Sequence, residues 1–441
     1  MSSFGRLTDP PASLVIVGAR VIDPAAGTDL LRDVVIRDGI VVEEPAPDAE
    51  RVDGRGLVVA PGFCDLHVHL RQPGSAGAET IESGARAAAH GGFTTICAMP
   101  NTDPPIDNAE RVRAGTVDGS CRVRQIGAAT VGRAGEAVAD LSGMVAAGAV
   151  GFSDDGAAVP GPELARSIFT ALAELGVPLI EHAEHPELAA GGVIRAGAAA
   201  SRLGLKPWSP EAEVAVVDRD LKLAEDTGAR AHLTHLSTAA ALALIADARK
   251  RGVQVTCDVT PHHLALTDAW VAGSRRFAWE EPEPDAPRAY DGLCRVNPPL
   301  ASREDALAIL AGLADGIIDA IATDHAPHSA ERKLVPFEDA APGIVGLETA
   351  LSIGLAAVEA GRLKLPVLIA ALSSRPAAVI GETRSLAAGE RADLVLFDPG
   401  ARWRVDRDAL ASGSANTPLL DMELPGVVRL TLAAGRITYR S

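Results

Sequence analysis

The 441-residue sequence has few aromatic residues: Phe, Trp and Tyr make up 3% of the chain, whereas hydrophobic residues make up 47%. A core of that size must be built from Ala, Val, Leu and Ile, as in α/β proteins whose helices cover a parallel sheet. The length allows two or three domains, although one α/β barrel can occupy most of such a chain.

Cysteine is scarce and scattered. The number is odd, no two cysteines form a CxxC pair, and the five positions are Cys64, Cys97, Cys121, Cys257 and Cys294. This pattern excludes a disulfide framework and a thiolate metal site, and it indicates a reducing compartment.

Positive charge is also in short supply, with 41 Lys and Arg against 58 Asp and Glu and a net charge of -17. This balance argues against nucleic acid as a partner, because nucleic acid selects for clusters of Lys and Arg. The N-terminus lacks a basic segment followed by a long apolar run, and no stretch approaches eighteen uninterrupted apolar residues. We therefore expect a cytoplasmic protein that binds neither nucleic acid nor a membrane.

The most informative stretch is residues 61–71, PGFCDLHVHLR, in which polar and apolar residues alternate. In a β-strand this alternation places Asp65, His67, His69 and Arg71 on one face. Two imidazoles at positions i and i+2 then point the same way and can share a metal ion. An isolated HxH pair is nevertheless more often a partly buried polar pair, so the rest of the chain has to decide.

The two ends of the chain differ in texture from its middle. Residues 13–60 and 392–440 are dense in β-branched residues and turn signals, so we predict that residues 1–60 and 381–441 together form a small β-sandwich domain. Residues 61–380 alternate short apolar runs with Ala-rich helical segments, which predicts an α/β fold with a (β/α)8 TIM-like barrel. The eight candidate strands are residues 63–69, 93–99, 125–130, 149–154, 178–182, 230–235, 254–259 and 318–324.

Chemically active side chains fall at the C-terminal ends of these candidate strands, where barrel active sites lie. They are His67, His69, Arg71, Asn101, Asp154, Asp155, His182, His235 and Asp324. Scattered core histidines explain one or two such positions but not His or Asp at five strand ends. Imidazoles and carboxylates are suitable ligands for Zn²⁺, so the pattern predicts a metal site. From the residues alone, the choice between the two adjacent aspartates stays open.

Residues 271–292 are rich in Pro, Glu and Asp and interrupt the approach from the seventh strand to Asn297. We expect a surface excursion, either a tolerated loop insertion or a lid or partner contact.

Nine motifs point to a known family. They are DLHVHLR (65–71), AMPNT (98–102), GFSDDG (151–156), EHAE (181–184), HLTHLST (232–238), VTPHH (259–263), RVNPPL (295–300), ATDHAPH (322–328) and GIVGLETAL (343–351). With them the chain resembles the amidohydrolase superfamily, and within it the bacterial type I dihydroorotases, over essentially its full length. The HxH pair and the final Asp are common to many amidohydrolases, whereas HLR, PNT, SDDG, NPPL and DHAPH together are much more specific.

The resemblance implies one or two Zn²⁺ ions per chain. The implied ligands are His67 and His69 for the first metal, His182 and His235 for the second, Asp155 as the bridge, and Asp324 as a first-metal ligand and the catalytic base. The implied substrate contacts are Arg71, Asn101, Asn297, His328, Pro342 and Gly343. Pro342 departs from the Phe that the family often has there, so the side-chain part of that contact is open. His232, His262, His263 and His325 are left outside the ligand set.

The resemblance also implies the reversible cyclisation of N-carbamoyl-L-aspartate to L-dihydroorotate in de novo pyrimidine (UMP) biosynthesis. It implies a homodimer, with a complex with aspartate transcarbamoylase as a further possibility. One rival is a hydantoinase or allantoinase, but those families usually bridge the metals with a carbamylated lysine, and SDDG offers aspartates instead. The other rival is a non-catalytic partner of aspartate transcarbamoylase. The presence of every ligand residue argues against this rival.

Overall fold

The computed structural model describes residues 2–75, 77–281, 283 and 288–441 of a mixed α/β protein. Its strands are β1 (Ser3–Phe4), β2 (Leu14–Asp23), β3 (Thr28–Arg37), β4 (Ile40–Val42), β5 (Glu50–Asp53), β6 (Val58–Pro61), β7 (Phe63–Val68), β8 (Phe93–Ala98), β9 (Arg122–Gln125), β10 (Leu179–Glu181), β11 (Ile194–Arg195), β12 (Pro207–Trp208), β13 (Ala231–Leu233), β14 (Val255–Val259), β15 (Ala320–Ile321), β16 (Leu394–Arg404), β17 (Glu423–Ala433) and β18 (Arg436–Arg440).

The helices are α1 (Ile81–His90), α2 (Ala109–Gly115), α3 (Leu141–Ala146), α4 (Pro162–Leu175), α5 (Pro186–Ala189), α6 (Ala198–Leu203), α7 (Glu211–Thr227), α8 (Ala239–Lys250), α9 (Pro261–Ala265), α10 (Asp268–Val271), α11 (Arg303–Ala314), α12 (Ala330–Lys333), α13 (Ala350–Glu359), α14 (Leu365–Leu372) and α15 (Ser374–Val379). Short 3-10 turns lie at Val131–Arg133, Gly292–Cys294 and Arg407–Ala409. Within the described ranges, none of the helices combines the length and apolar composition needed to cross a membrane.

Strands from both ends of the chain share one nine-stranded sheet, in the order β1-β18-β17-β16-β6-β2-β3-β4 with β5 beside β2. The register of β2 shifts between Ile16 and Ala19, around Gly18, whose φ of 71° suits glycine. Before the shift β2 pairs with β5, and after it β2 pairs with β6. Apolar residues of both ends, such as Leu14 and Leu432, belong to one buried cluster. The two ends of the chain therefore share one sheet and one buried cluster.

The middle of the chain supplies parallel strands in sequence order. One sheet contains β7, β8 and β9, and another contains β10, β13, β14 and β15. Isolated parallel bridges join Gly127 to Phe152, Phe152 to Leu179, and Val68 to His325. These bridges connect the two sheets at both edges.

Two predicted strands differ from the structure. The third lies at Arg122–Gln125 rather than 125–130, and the fourth is represented by the bridges of Phe152 alone. Part of the reason is a side chain, because Asp154 accepts hydrogen bonds from the backbone N–H groups of Ala129 (3.0 Å) and Thr130 (3.1 Å). Those backbone groups are satisfied without a strand ladder.

Helix α1 follows β7 and packs close to the residues at its end. Thr80 caps the helix by accepting a hydrogen bond from the N–H of Ser83 (3.0 Å). A Cβ on Gly84 would lie 2.4 Å from a methyl carbon of Leu70, so only glycine permits this approach. The helix thereby supports the backbone between His69 and Arg71.

The predicted surface excursion at 271–292 is wrong for its first part. Phe277 and Ala278 are buried, and Phe277 stacks on Trp270 with ring centroids 6.3 Å apart. The apolar residues of this stretch pack into the core, which its Pro and acidic residues obscured in the sequence. Residues 282 and 284–287 lie outside the described residues.

Candidate active site

Six predicted ligand residues converge from the ends of the parallel strands and are all buried. They are His67, His69, Asp155, His182, His235 and Asp324. These residues are far apart in the sequence, so only the parallel packing of the strands brings them together. They meet at the C-terminal ends of the strands, where the sequence predicted the active site.

The first group of ligand atoms surrounds the Asp324 carboxylate. Asp324 Oδ1 lies 3.0 Å from His69 Nε2 and 3.5 Å from His67 Nε2. The ligand atoms of these three residues all lie within 4.8 Å of one another, as a shared metal ion requires.

Asp155 lies at the centre of the cluster. Its Oδ1 is 3.3 Å from His67 Nε2, 3.5 Å from His182 Nδ1 and 3.8 Å from His235 Nε2. His182 Nδ1 and His235 Nε2 are 3.0 Å apart. A carboxylate with two oxygens can serve ligand groups on both sides, so the geometry agrees with a bridging position.

Asp154, the alternative bridge, is engaged elsewhere. Its Oδ1 accepts from the backbone N–H groups of Ala129 and Thr130, and its Oδ2 accepts from the Thr130 hydroxyl at 2.5 Å. The structure thus turns Asp154 away from the imidazoles. Asp65 is also outside the cluster and accepts from the N–H (3.0 Å) and hydroxyl of Thr323.

The imidazole of His67 is oriented for metal binding. Thr234 donates its hydroxyl proton to Asp258 (2.9 Å), so its oxygen accepts from His67 Nδ1 (3.0 Å). The proton therefore resides on Nδ1, and Nε2 presents a lone pair. This buried Nε2 has no hydrogen-bond partner among the described residues. Burial lowers the pKa of His67, but the carboxylates of Asp155 and Asp324 outweigh burial and raise it to about 9, so this position favours a cation, whether a proton or a metal ion.

His69 shows the same arrangement through a different partner. Its Nδ1 lies 2.9 Å from Asn101 Oδ1, while Asn101 Nδ2 donates to Asp155 Oδ2 at 3.0 Å. Asn101 thus determines the tautomer of His69 and also orients the central carboxylate. Its place at the end of the second strand is as predicted, and its amide already has two neighbours in the cluster.

The ligand separations fit Zn²⁺. Two tetrahedral ligands at 2.0–2.1 Å from zinc are about 3.4 Å apart. The separations around His67 Nε2 are 3.3 Å to Asp155 and 3.5 Å to Asp324. The cluster could therefore hold a metal with little rearrangement.

Where protons rather than a metal ion occupy the cluster, they lie on the ring nitrogens that face the carboxylates and shift the pKa values of both aspartates. Burial raises the pKa of Asp155, but the neighbouring imidazoles of His67, His182 and His235 outweigh burial and hold that pKa well below its usual range. Burial acts likewise on Asp324, and the imidazoles, chiefly His69, bring its pKa below the ordinary value. Both carboxylates are ionised at neutral pH, as metal ligands must be.

Three site residues have left-handed backbone conformations, although none is glycine. The φ angles are 58° for Arg71, 41° for His235 and 46° for Asp324. Such conformations cost about 1 kcal/mol or more each and persist only where the surroundings impose them. They turn the chain two or three residues after β7, β13 and β15 end, and this turn directs the side chains toward the cluster.

Two of the predicted carboxylate-binding groups line one cavity, whose wall includes none of the six cluster residues. Arg71 and His328 line a cavity of about 470 Å³, and Arg71 Nε donates to the carbonyl of Pro327 (3.1 Å). His328 Nε2 lies 2.8 Å from the Pro342 carbonyl and 3.3 Å from Arg71 Nη2. A carbonyl only accepts, so Nε2 carries the proton there. Burial and then Arg71 lower the pKa of His328 to about 3, which keeps its ring neutral.

The remaining predicted substrate contacts lie beside His182 or His328. Asn297 Nδ2 is 3.4 Å from His182 Nε2. Gly343 has a φ of 148°, and a Cβ there would lie 2.9 Å from His328 Nε2, so glycine is required. The Gly343 N–H donates to the Arg295 carbonyl (2.9 Å), and the side chain of Pro342 is exposed. Contact of Pro342 and Gly343 with substrate stays a prediction.

The histidines left outside the ligand set have other environments. His232 Nε2 is 2.8 Å from Asp258, His325 Nε2 is 3.1 Å from Glu79, and His263 Nε2 is 3.0 Å from the Pro298 carbonyl. His262 is buried with Nε2 lacking a partner in the described part of the chain, and burial lowers its pKa to about 4.

Sequence reasoning missed several residues that support the cluster. Thr234 and Asp258 orient His67, and Arg133 donates from Nη2 to the carbonyls of Asp154 (3.1 Å) and Asp155. Thr234 lies inside the motif HLTHLST, which was a usable signal. Nothing in the local sequence of Arg133 indicates its contact, since the two segments meet only in the fold.

Comparisons with known proteins agree with this geometry. A family model described as "Dihydro-orotase-like" matches residues 56–241. The chain is 46% identical over 436 residues to a dihydroorotase of Anaeromyxobacter dehalogenans, covering 97% of this chain and 98% of that protein. It is 43% identical over 439 residues to a dihydroorotase of Pelobacter propionicus, covering 97% of this chain and 100% of that protein.

The chain belongs to the dihydroorotase family. This membership confirms the dihydroorotase function predicted from the motifs. Among solved structures, an L-hydantoinase (dihydropyrimidinase) from Arthrobacter aurescens superposes with a TM-score of 0.81 and 26% identity, covering 97% of this chain and 96% of that one. The dihydroorotase fold described here is therefore shared with enzymes that open related cyclic amides.

Proposed function

We propose that this dihydroorotase is of the bacterial type I within the amidohydrolase superfamily and catalyses the reversible cyclisation of N-carbamoyl-L-aspartate to L-dihydroorotate in pyrimidine biosynthesis. The observation that carries this proposal is the position of Asp155, a permanent carboxylate among the imidazoles of His67, His182 and His235. The relatives named dihydroorotase support the same reaction.

We assign the chain to a (β/α)8 barrel at 61–380 and a β-sandwich made of 1–60 and 381–441. The sequence-ordered parallel strands and the bridges at Phe152 and Val68 support the barrel. The shared terminal sheet, divided at the register shift of β2, supports the sandwich.

We assign zinc to the cluster. His67, His69, Asp155 and Asp324 would hold a first ion, and Asp155, His182 and His235 a second. When bound there, Zn²⁺ supplies Lewis acidity, which lowers the pKa of water to about 7 and polarises the carbonyl under attack. The unpartnered Nε2 of His67 and the spacing of the donors support this assignment.

Asp324 is proposed to move the proton. Its pKa lies below the ordinary value, so an ionised oxygen is available at neutral pH. In ring opening, Asp324 takes a proton from the attacking water as the new C–O bond forms at the ring carbonyl. It then passes that proton to the ring nitrogen as the C–N bond breaks, which yields N-carbamoyl-L-aspartate.

Arg71 is proposed to bind the substrate carboxylate. Its planar guanidinium can donate two parallel hydrogen bonds to a carboxylate, and it lines a cavity together with His328. Asn101, Asn297 and the Pro342–Gly343 segment complete the proposed contacts. This carboxylate distinguishes dihydroorotate from the carboxylate-free ring dihydrouracil.

Ring opening by purified protein tests the proposal. We expect kcat/KM for L-dihydroorotate to exceed that for dihydrouracil and hydantoin by at least about a hundredfold, because an unpaired cation rejects a neutral analogue. A preference for either neutral ring would instead support the hydantoinase alternative, which is relevant because the fold is similar to that of the L-hydantoinase.

Metal reconstitution provides a second test. A carbamylated lysine must form from CO₂, whereas Asp155 needs no such assembly. Apo-protein should therefore regain full activity with Zn²⁺ in bicarbonate-free buffer, and dependence on bicarbonate would contradict the bridge assignment. Metal analysis of the same samples measures the number of ions per chain.

We further propose a cytoplasmic homodimer that can associate with aspartate transcarbamoylase. The scattered buried cysteines support the cytoplasmic location. The family resemblance supports the homodimer and its association with aspartate transcarbamoylase. Light scattering on the purified protein, with and without its transcarbamoylase, measures both states directly. A monodisperse monomer would contradict the dimer.

A further inference from the structure

Lys333 is an unusually enclosed charged residue at the end of α12. Its side chain is 1% exposed, and its Nζ lies 2.9 Å from each of three backbone carbonyls. These carbonyls belong to Arg295, Ala341 and Gly343. An ammonium has three N–H donors and no acceptor, so every donor is used.

A buried ammonium needs a reason, because an apolar side chain of similar volume avoids the loss of hydration. Burial lowers the pKa of Lys333 to about 7, while the three acceptors favour the charged form. The reason lies in what the three carbonyls share. Two of them flank Pro342, and the third lies two residues before Asn297.

The segments around Asn297 and Pro342 are in direct contact. The N–H of Gly343 donates to the Arg295 carbonyl at 2.9 Å, so the carbonyl that accepts from Lys333 also accepts from the other segment. The Asn416 amide donates to the Gly343 carbonyl at 3.0 Å. The carbonyls of Arg295 and Gly343 thus each accept from two donors, one of which is Lys333.

Two backbone features hold Lys333 in this position. The Ala341 N–H donates to the Arg332 carbonyl at 2.9 Å, which closes the stretch between them into a loop. A Cβ on Gly292 would lie 2.3 Å from the Lys333 carbonyl oxygen, so glycine allows the two backbones to approach.

We propose that Lys333 is a positioning residue that ties together the two segments carrying Asn297 and Pro342–Gly343, so that both face the substrate at a constant separation. It acts through three backbone carbonyls rather than on the substrate. The inference rests on the proposed function for the identity of that substrate. The tie between the segments is itself independent of the reaction.

Lys333→Met tests the tie, because methionine fills a similar volume without donors. Arg249→Met is the matched control. Arg249 also donates to two backbone carbonyls, those of Val255 (3.2 Å) and Ile317 (2.7 Å). These carbonyls lie at the beginning of β14 and before β15, at the end of the strands opposite to the active site. Both variants lose hydrogen bonds to backbone carbonyls, and Arg249→Met also loses the ion pair of Arg249 with Asp319. Lys333→Arg retains the charge and is the conservative variant.

We expect Lys333→Met to raise KM for L-dihydroorotate by about tenfold or more, because contacts displaced by about 1 Å lose much of their effect. Arg249→Met should leave KM within about twofold even where its melting temperature falls. Lys333→Arg should restore part of the loss. An unchanged KM in Lys333→Met, or an equal rise in the Arg249 variant, would overturn the inference.

Hydrogen exchange separates this inference from the proposed function. Amide exchange at 292–298 and 340–346 should rise in Lys333→Met and stay at the wild-type level in Arg249→Met. If the wild-type protein fails to open dihydroorotate while this exchange pattern appears, the proposed function fails and the tie stands. If the wild type is active and exchange at both segments is unchanged in Lys333→Met, the tie fails alone.

Discussion

Two kinds of buried histidine lie at the ends of the parallel strands, and they differ in what their ring nitrogens meet. His67 has its Nδ1 proton on Thr234 and an Nε2 lone pair without a partner among the described residues. His325 accepts from the Gly346 N–H at Nδ1 (3.2 Å) and donates from Nε2 to Glu79 (3.1 Å). Both are almost completely buried. Burial therefore does not separate a metal ligand from a structural histidine, whereas an unpartnered ring nitrogen that faces two carboxylates does.

The carboxylates show the same contrast. Asp324 and Asp155 face imidazole nitrogens. The negative charges of these carboxylates require a cation between them and the rings. Glu79 instead meets donors: His325, the Ser412 hydroxyl (2.6 Å) and the Gly413 N–H (3.0 Å). We expect substitutions in the first region to abolish activity or metal binding and those in the second to lower stability.

The largest effect is expected for Asp324→Asn, which retains the shape but removes the basic oxygen. Ring opening should fall by about a thousandfold or more, because proton transfer and metal binding depend on the same carboxylate. Steady-state kinetics measure the loss, and thermal unfolding of the same sample shows that the fold is intact. Activity within about tenfold of the wild type would refute the assignment.

The second effect separates two adjacent residues. Asp155→Ala should release the second metal, since only His182 and His235 remain to hold it. Asp154→Ala should retain metal but lower the free energy of unfolding by about 1–3 kcal/mol, because the N–H groups of Ala129 and Thr130 lose their acceptor. Bound zinc per chain and chemical denaturation measure both. Metal loss in Asp154→Ala alone would reverse the assignment.

A smaller effect is expected for Arg71→Lys, which retains the charge but loses the planar fork. KM for dihydroorotate should rise by about tenfold to a hundredfold with little change in melting temperature. Bound metal serves as the control and should equal that of the wild type. A large drop in melting temperature with unchanged KM would show that Arg71 supports the fold instead.

The smallest effect concerns Glu79→Gln in the structural region. Burial raises the pKa of Glu79, but His325 and the other donors outweigh burial and lower it below the ordinary value. The ionised group therefore stabilises the fold above the unfolded pKa of about 4.3, and this contribution is lost as pH falls through the folded pKa. The variant should be about 1–3 kcal/mol less stable than the wild type at pH 7.

Denaturant titrations at several pH values measure that difference. It should shrink below pH of about 4.3, where the wild-type carboxylate takes up a proton. Metal content should stay at the wild-type level, because Glu79 contacts His325 and not the metal cluster. A variant that loses metal would remove the distinction between the two regions.

Local sequence patterns were sufficient to predict the alternation of strands and helices and the residues at the strand ends. Helices α1, α4, α7 and α8 lie where Ala-rich amphipathic segments predicted them, because local periodicity reflects which face is buried. The alternation in residues 65–71 likewise predicted that His67 and His69 point the same way. These features depend on a few neighbouring residues, and the sequence displays such patterns directly.

The contacts of individual side chains depend instead on how distant segments pack together. Asp155 rather than Asp154 faces the imidazoles because the N–H groups of Ala129 and Thr130, from another segment, capture Asp154. The left-handed conformation of Asp324 and the three carbonyls around Lys333 also come from distant parts of the chain. Side-chain direction and hydrogen-bond partners depend on which segments pack together, and that information is absent from local sequence patterns.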